Sequence, residues 1–139
     1  MIDFHYNTDY QLVESKKYAR WISKIIASEE GHVGEVDYVF CDDAELLSMN
    51  QKYLKHDTLT DIITFDYTEG SIVSGDIFIS IDRVRENATI FKVKFESELH
   101  RVMTHGILHL LGYGDKAEDE IAVMRMKEEE KMKLFHVEQ

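Results

Sequence analysis

The stretch Thr104-His105-Gly106-Ile107-Leu108-His109-Leu110-Leu111-Gly112-Tyr113-Gly114-Asp115 mixes side chains that bind metal with residues that turn a chain. His105 and His109 stand four apart, so on a helix their imidazoles leave one face a turn from each other and can share an ion. Gly112 supplies a helix stop, and Asp115, three residues further on, can return a carboxylate to the same ion. Two nitrogens and one oxygen leave a fourth position open for water, which is the requirement of a catalytic zinc site rather than a structural one. We expect one zinc ion per chain on His105, His109 and Asp115.

The spacing is that of metzincin proteases with one element missing: those enzymes carry Glu after the first His as general base, and here that position is Gly106. A bound ion can still lower the pKa of its water and act as a Lewis acid on a carbonyl or phosphoryl oxygen. Metal-assisted hydrolysis is therefore expected, and peptide cleavage is disfavoured.

Positioning such a site requires helices on a sheet, and the patterning supplies them. Residues 2–6, 36–41, 62–65 and 72–79 read as strands. Asp9 is placed to cap a helix over residues 10–29, where Leu12, Ala19, Ile22 and Ile26 recur at helical spacing. Asp42 or Asp43 caps a shorter helix through Leu46, Met49, Tyr53 and Leu54, and three more follow Ser80: one marked by Ile81, Val84, Ala88 and Phe91, then residues 95–111 and 117–135. Four strands with about five helices predict an α+β fold in a single domain over residues 1–139. Met124, Met126, Met132 and Leu134 read as packing residues, and Glu128-Glu129-Glu130 as a solvated face. Asp61 and Asp76, beside strands, either orient ligands from behind or cap and turn the chain.

Composition narrows the function. Net charge is −11, Cys41 is the sole cysteine and no apolar run approaches a membrane span, so a cytoplasmic protein with no membrane partner is expected. Bulk electrostatics would not grip nucleic acid. Of five segments compared, only residues 82–101 are net basic, with five bases against four acids, and this stretch leads into the histidines.

His105-Gly106-Ile107-Leu108-His109-Leu110-Leu111-Gly112-Tyr113-Gly114-Asp115 resembles the signature H-G-x-L-H-L-x-G-Y-D-H of the YbeY family, bacterial endoribonucleases and ribosomal RNA maturation factors. Gly75-Asp76-Ile77-Phe78-Ile79-Ser80 is similar to the family's GDI-x-IS strand. Asn50-Gln51-Lys52-Tyr53, followed by Thr60-Asp61-Ile62-Ile63-Thr64-Phe65, resembles its N-x-x-Y and T-[ND]-V-L-S-F segments. The resemblance covers essentially the whole chain. It implies a zincin-like metal site on a C-terminal helix and a zinc-dependent, single-strand-specific endoribonuclease acting in 16S ribosomal RNA 3′ processing and ribosome biogenesis. Two positions depart from the pattern. The family's third histidine is Asp115, with Gly114 in place of the preceding Asp, and the arginine that follows the N-x-x-Y tyrosine is Leu54.

Lys55 or His56 is the nearest cationic substitute for that arginine, although neither forms a bidentate fork and His56 also reads as a plain surface histidine. Arg101, one turn before His105, is placed either to meet a phosphate or to pair with Glu98. Arg101, Lys55 and His56 are thus the residues expected to assist catalysis. Ribosomal RNA or a ribosomal particle is the expected partner, with a ribosomal or assembly protein supplying affinity that an acidic chain lacks. Three rival readings stand beside this one: a zincin-like peptidase or amide hydrolase, a non-haem iron oxygenase using the two-His, one-carboxylate triad, and a ribosome-assembly binding module with a structural metal.

Overall fold

β-Branched and aromatic residues alternate along the strands and give the sheet two apolar faces, each of which must be covered. In the computed structural model, which describes residues 1–136, the order is β1 (Ile2–Tyr6), α1 (Ser15–Ser28), β2 (His32–Cys41), α2 (Asp43–Tyr53), β3 (Ile62–Asp66), β4 (Ile72–Ser80), α3 (Ile81–Phe91), α4 (Phe95–Leu110) and α5 (Glu118–Met132), then a 3-10 turn over Lys133–His136. This is the α+β architecture of four strands and five helices that the pattern predicts. The sheet runs β1-β2-β4-β3, with β1, β2 and β4 parallel and β3 antiparallel to β4 at one edge.

Val36, Tyr38 and Phe40 of β2 and Ile77 and Ile79 of β4 form the main core with Ile22, Ile25 and Ile26 of α1 and Leu99, Met103 and Ile107 of α4. The opposite face buries Cys41 and Ile63, with Val39 and Phe78, under Leu46 and Met49 of α2. Tyr38 donates its hydroxyl to the Met103 carbonyl at 2.8 Å, tying α4 to the middle of the sheet. Gly106 makes this approach possible. A Cβ there would sit 2.8 Å from Ile77 Cγ2 and 2.9 Å from Ile62 Cδ1, so a side chain at this position would push α4 off β3 and β4.

Three boundaries differ from expectation. Among the described residues Asp9 caps no helix: α1 starts at Ser15 behind Glu14, which has a left-handed backbone at φ 62°. Tyr10 and Leu12 reach the core from the irregular segment before α1 while Val13 stays exposed, so their apolar side chains add to the helical pattern without being helical. β2 begins at His32, not residue 36, because a register shift between Val33 and Val36 lets pairing with β4 continue across Gly34. α5 ends at Met132, where the 3-10 turn takes over and buries Phe135. Asp42 does cap α2, accepting the Glu45 amide at 2.8 Å.

Candidate metal centre

α4 carries His105 and His109 on the face turned away from the core, and Gly112, at φ 101°, ends it. The Gly112 amide bonds the His109 carbonyl and the Tyr113 amide bonds that of Leu108, folding the chain back. The turn is held from outside. Tyr113 donates its hydroxyl to Glu29 at the end of α1, and Lys127 and Lys131 of α5 reach the same carboxylate at 3.0 and 2.8 Å. Burial would raise the Glu29 carboxyl, but Lys131, Tyr113 and Lys127 together pull it down to about 2. This clamp delivers Asp115 to the histidines.

The three side chains converge. His105 Nε2 lies 2.9 Å from His109 Nε2 and 3.1 Å from Asp115 Oδ2, and His109 Nε2 lies 3.2 Å from the same oxygen. Tetrahedral coordination with ligand distances of about 2.0–2.1 Å separates its ligands by about 3.3–3.4 Å, so the triangle needs to open only slightly to hold a zinc-sized ion. Proton placement agrees. His105 Nδ1 donates to Glu128 Oε2 at 2.7 Å, and His109 Nδ1 donates to the Tyr113 carbonyl at 2.9 Å. With both Nδ1 protons engaged, each Nε2 carries a lone pair, and two nitrogens and a carboxylate oxygen face one another as acceptors. Such a donor set fits a cation.

Burial would push the His105 imidazole down, but the hydrogen bond and charge of Glu128, with Asp115 and Asp61, hold it above the usual range. Glu128 itself is 2% exposed. Burial would raise it, but hydrogen bonds from His105 and Arg101 keep it below the ordinary carboxylate range and therefore ionised. The expected solvated face at Glu128-Glu129-Glu130 is corrected for its first member. Met124, Glu128 and Lys131 are all buried, so Glu128 lies on the stripe that begins at Met124, and the spacing of four was the available signal. The packing role expected for Met126 also fails, since it is 60% exposed.

Arg101 faces the cavity, but its partner is Glu128 at 2.9 Å and not Glu98. Lys55 and His56 are exposed in the loop after α2, where Lys55 takes φ 56° and the His56 amide bonds the Asn50 carbonyl. From the same loop Leu54 lines the cavity beside both histidines. The net-basic stretch is dispersed: Arg83 is held by Asp43 at 3.1 Å and Arg85 lies over the Phe95 ring. A denser basic run, Lys16, Lys17, Arg20 and Lys24 on α1, lies within the acid-rich first 50 residues, whose net charge conceals it.

Two cavities share the site and open on either side of it. One, of about 300 Å3, runs along β3 past Leu54 and Thr64; the other, of about 370 Å3, lies between α3, α4 and α5. Asp61, Ile62, His105 and Asp115 line both. Asp61 is thus brought to the site, whereas Asp76 pairs with Phe65 inside the sheet. Burial raises the Asp61 carboxyl, against the pull of His105. The lining holds four carboxylates, Asp61, Glu98, Asp115 and Glu128, against Arg101 and Arg125, so the cleft is net negative without a cation.

The family model described as endoribonuclease YbeY matches residues 3–136. The chain belongs to the YbeY family. An endoribonuclease YbeY of Flavobacterium psychrophilum is 56% identical over all of this chain and 99% of its own length. That of Flavobacterium johnsoniae is 53% identical over the full length of both. The Christiangramia forsetii enzyme is 51% identical over 99% of this chain and 96% of its own. A Thermotoga maritima protein solved in solution superposes with a TM-score of 0.69 at 29% identity, covering 97% of this chain and 89% of that one. The YbeY enzymes are hydrolytic nucleases, and the fold and the cluster of His105, His109 and Asp115 fit that class. Among the described residues, no helix is long and apolar enough to cross a membrane.

Proposed function

We propose that the chain is a zinc-dependent endoribonuclease that cuts single-stranded RNA in the cytoplasm during ribosomal RNA maturation, including 16S 3′ processing, working as one domain. The observation that carries this reading is the convergence of two imidazole nitrogens and a carboxylate oxygen between two cavities that share the site. An endonuclease must let its strand continue in both directions, and two cavities that meet at the metal ligands provide for that.

His105, His109 and Asp115 would hold the ion, and their two-nitrogen, one-oxygen set suits zinc. When bound, the ion supplies Lewis acidity toward a phosphoryl oxygen and makes a water more acidic. The protein's own contribution is order. Glu128 fixes the His105 tautomer, and Arg101 fixes Glu128 while presenting positive charge to the cavity. Lys55 and His56 would meet the strand as it leaves past Leu54. Because the chain carries −11 and its cleft is acidic, affinity for free RNA is low, and a ribosomal particle or an assembly protein supplies the rest.

The peptidase reading draws on β3, an exposed sheet edge beside the site, but Gly106 is packed against Ile77 and Ile62 and leaves no room for the carboxylate base. The test is elemental analysis of purified protein combined with cleavage of single-stranded RNA, duplex RNA and peptides, with and without chelator. Single-strand cleavage that is lost on chelation and restored by zinc supports the proposal. Iron as the bound metal would favour the oxygenase. RNA left intact even within a ribosomal particle would leave the binding module.

A further inference from the structure

Glu98 has no role in holding the metal site, and its surroundings are unusual. It is 4% exposed, on α4 two turns before His105, and it lines the cavity between α3, α4 and α5. No hydrogen bond or ion pair among the described residues reaches its carboxylate; Arg101 and Arg125 act on it only through space. Burial and the Asp61 charge push its carboxyl up, and the two arginines oppose them. Among the described residues no buried side-chain oxygen is left without a partner, so the Glu98 carboxylate, which no protein donor reaches, opens onto the cavity and can accept from a group that brings N–H donors there. A second metal ion is a poor occupant, because Glu98, Asp61 and Glu128 do not gather their oxygens as His105, His109 and Asp115 do. A phosphate would be repelled.

The rest of the cavity suits a flat, partly apolar ligand. Its volume of about 370 Å3 lies within the range of roughly 300 to 1,000 Å3 typical of small-molecule sites. Phe91 and Ile121, 56% and 44% exposed, stand at its walls, and Asn87 adds an amide that can donate or accept. Arg125, whose side chain is 61% exposed, stands beside it as a cation. Single-stranded RNA offers such a ligand in an unstacked base, recognised by stacking on an aromatic ring and by hydrogen bonds to its Watson–Crick edge.

We propose that this cavity is a base-specificity subsite that takes one unstacked guanine of the RNA next to the cleaved bond, with Glu98 accepting from its Watson–Crick edge and Phe91 against its ring. Guanine is the base that presents two adjacent donors, N1–H and the N2 amino group, to one carboxylate. Adenine and cytosine set a donor beside an acceptor, and uracil sets a donor between two acceptors. The neighbouring phosphate then falls to Arg125 at the rim, and the next nucleotide to the metal side of the cavity. The inference rests on the endoribonuclease reading and adds to it a preference that the metal ligands cannot supply.

The test compares kcat/KM of the zinc-loaded protein on single-stranded oligoribonucleotides that differ at one position, alongside an NMR titration of guanosine, adenosine, cytidine and uridine. We expect the guanine substrate to be cut about 10- to 100-fold more efficiently than the others, the worth of a bidentate base contact. Glu98→Gln replaces one acceptor by a donor without changing size; it should abolish that preference and the guanosine shifts while leaving metal content intact. Phe91→Ala, at an exposed position, should weaken all four nucleosides together. Equal cleavage of the four substrates, or a preference that survives Glu98→Gln, overturns the subsite. If no RNA is cut at all, the endoribonuclease reading has failed instead, and the nucleoside titration still decides whether the cavity selects guanine.

Discussion

α4 carries two histidines five residues apart in opposite surroundings. His100 is 7% exposed, stacked among Tyr18, Trp21 and Phe135, with its Nε2 accepting the Tyr18 hydroxyl at 2.9 Å. Burial, with His136 and Lys17 adding, pushes its pKa down to about 4. His105 sits at the cleft between Glu128 and Asp115 and is held up instead. One residue type on one helix is thus a packing ring in the first case and, in the second, a charge-supported member of a cluster that could hold a metal ion. The difference comes from what α1 and α5 bring to each face, not from α4.

The largest effect that can break this comparison is on activity. His105→Ala should remove metal and lower RNA cleavage by at least about 10³-fold, whereas His100→Ala should keep the metal and lose stability. Elemental analysis and urea melts on both variants decide it; equal loss of metal in the two would merge the regions.

Next is acid stability. The folded pKa of His100, about 4, lies below the unfolded value of about 6.5, so its neutral form favours the folded state above that value and the gain is lost as pH falls to 4. At about 1.4 kcal/mol per pKa unit, that shift corresponds to at most about 3 kcal/mol. Urea unfolding at pH 7.5 and 4.5 should show a loss of that order which His100→Gln reduces, and an unchanged loss would remove His100 as the acid-sensitive group.

Glu128→Gln should weaken zinc binding about 10- to 100-fold by releasing the His105 tautomer, read by competition with a chromogenic chelator. Unaltered affinity would show that the ring is held by packing alone. Arg101→Ala should lower cleavage about tenfold with metal content preserved, measured as kcat/KM at saturating zinc, because it acts through Glu128 and the cavity charge. The smallest effect is expected at the exposed loop: Lys55→Ala should change cleavage less than about threefold and reduce the slope of log affinity against log salt by about 0.7. If neither Arg101→Ala nor Lys55→Ala alters cleavage, the cleft does not carry the RNA.

Much of this was legible in sequence. The four strands, the five helices, the grouping of His105, His109 and Asp115 and the lack of a Glu after the first histidine follow from alternation, helical spacing and a handful of residue types. The start of α1 was misread because Tyr10 and Leu12 reach the core from an irregular segment, and apolarity alone does not reveal backbone path. Glu128 was misread because a run of three glutamates looks solvated until α5 is docked on α4.

By itself the sequence determined that His105 and His109 share a helix face, that Gly112 turns the chain and that Asp115 is near enough to follow, because these depend on local periodicity and chain length. Tertiary structure decided that Glu128 backs His105, that Arg101 turns to Glu128, and that Glu98 opens onto the cavity with no protein donor on its carboxylate. Each of those facts depends on burial and partners contributed by α5, β3 and α3. A carboxylate reads the same in sequence whether water or a protein wall surrounds it, and only the packed neighbours set its charge, its hydrogen bonds and its use.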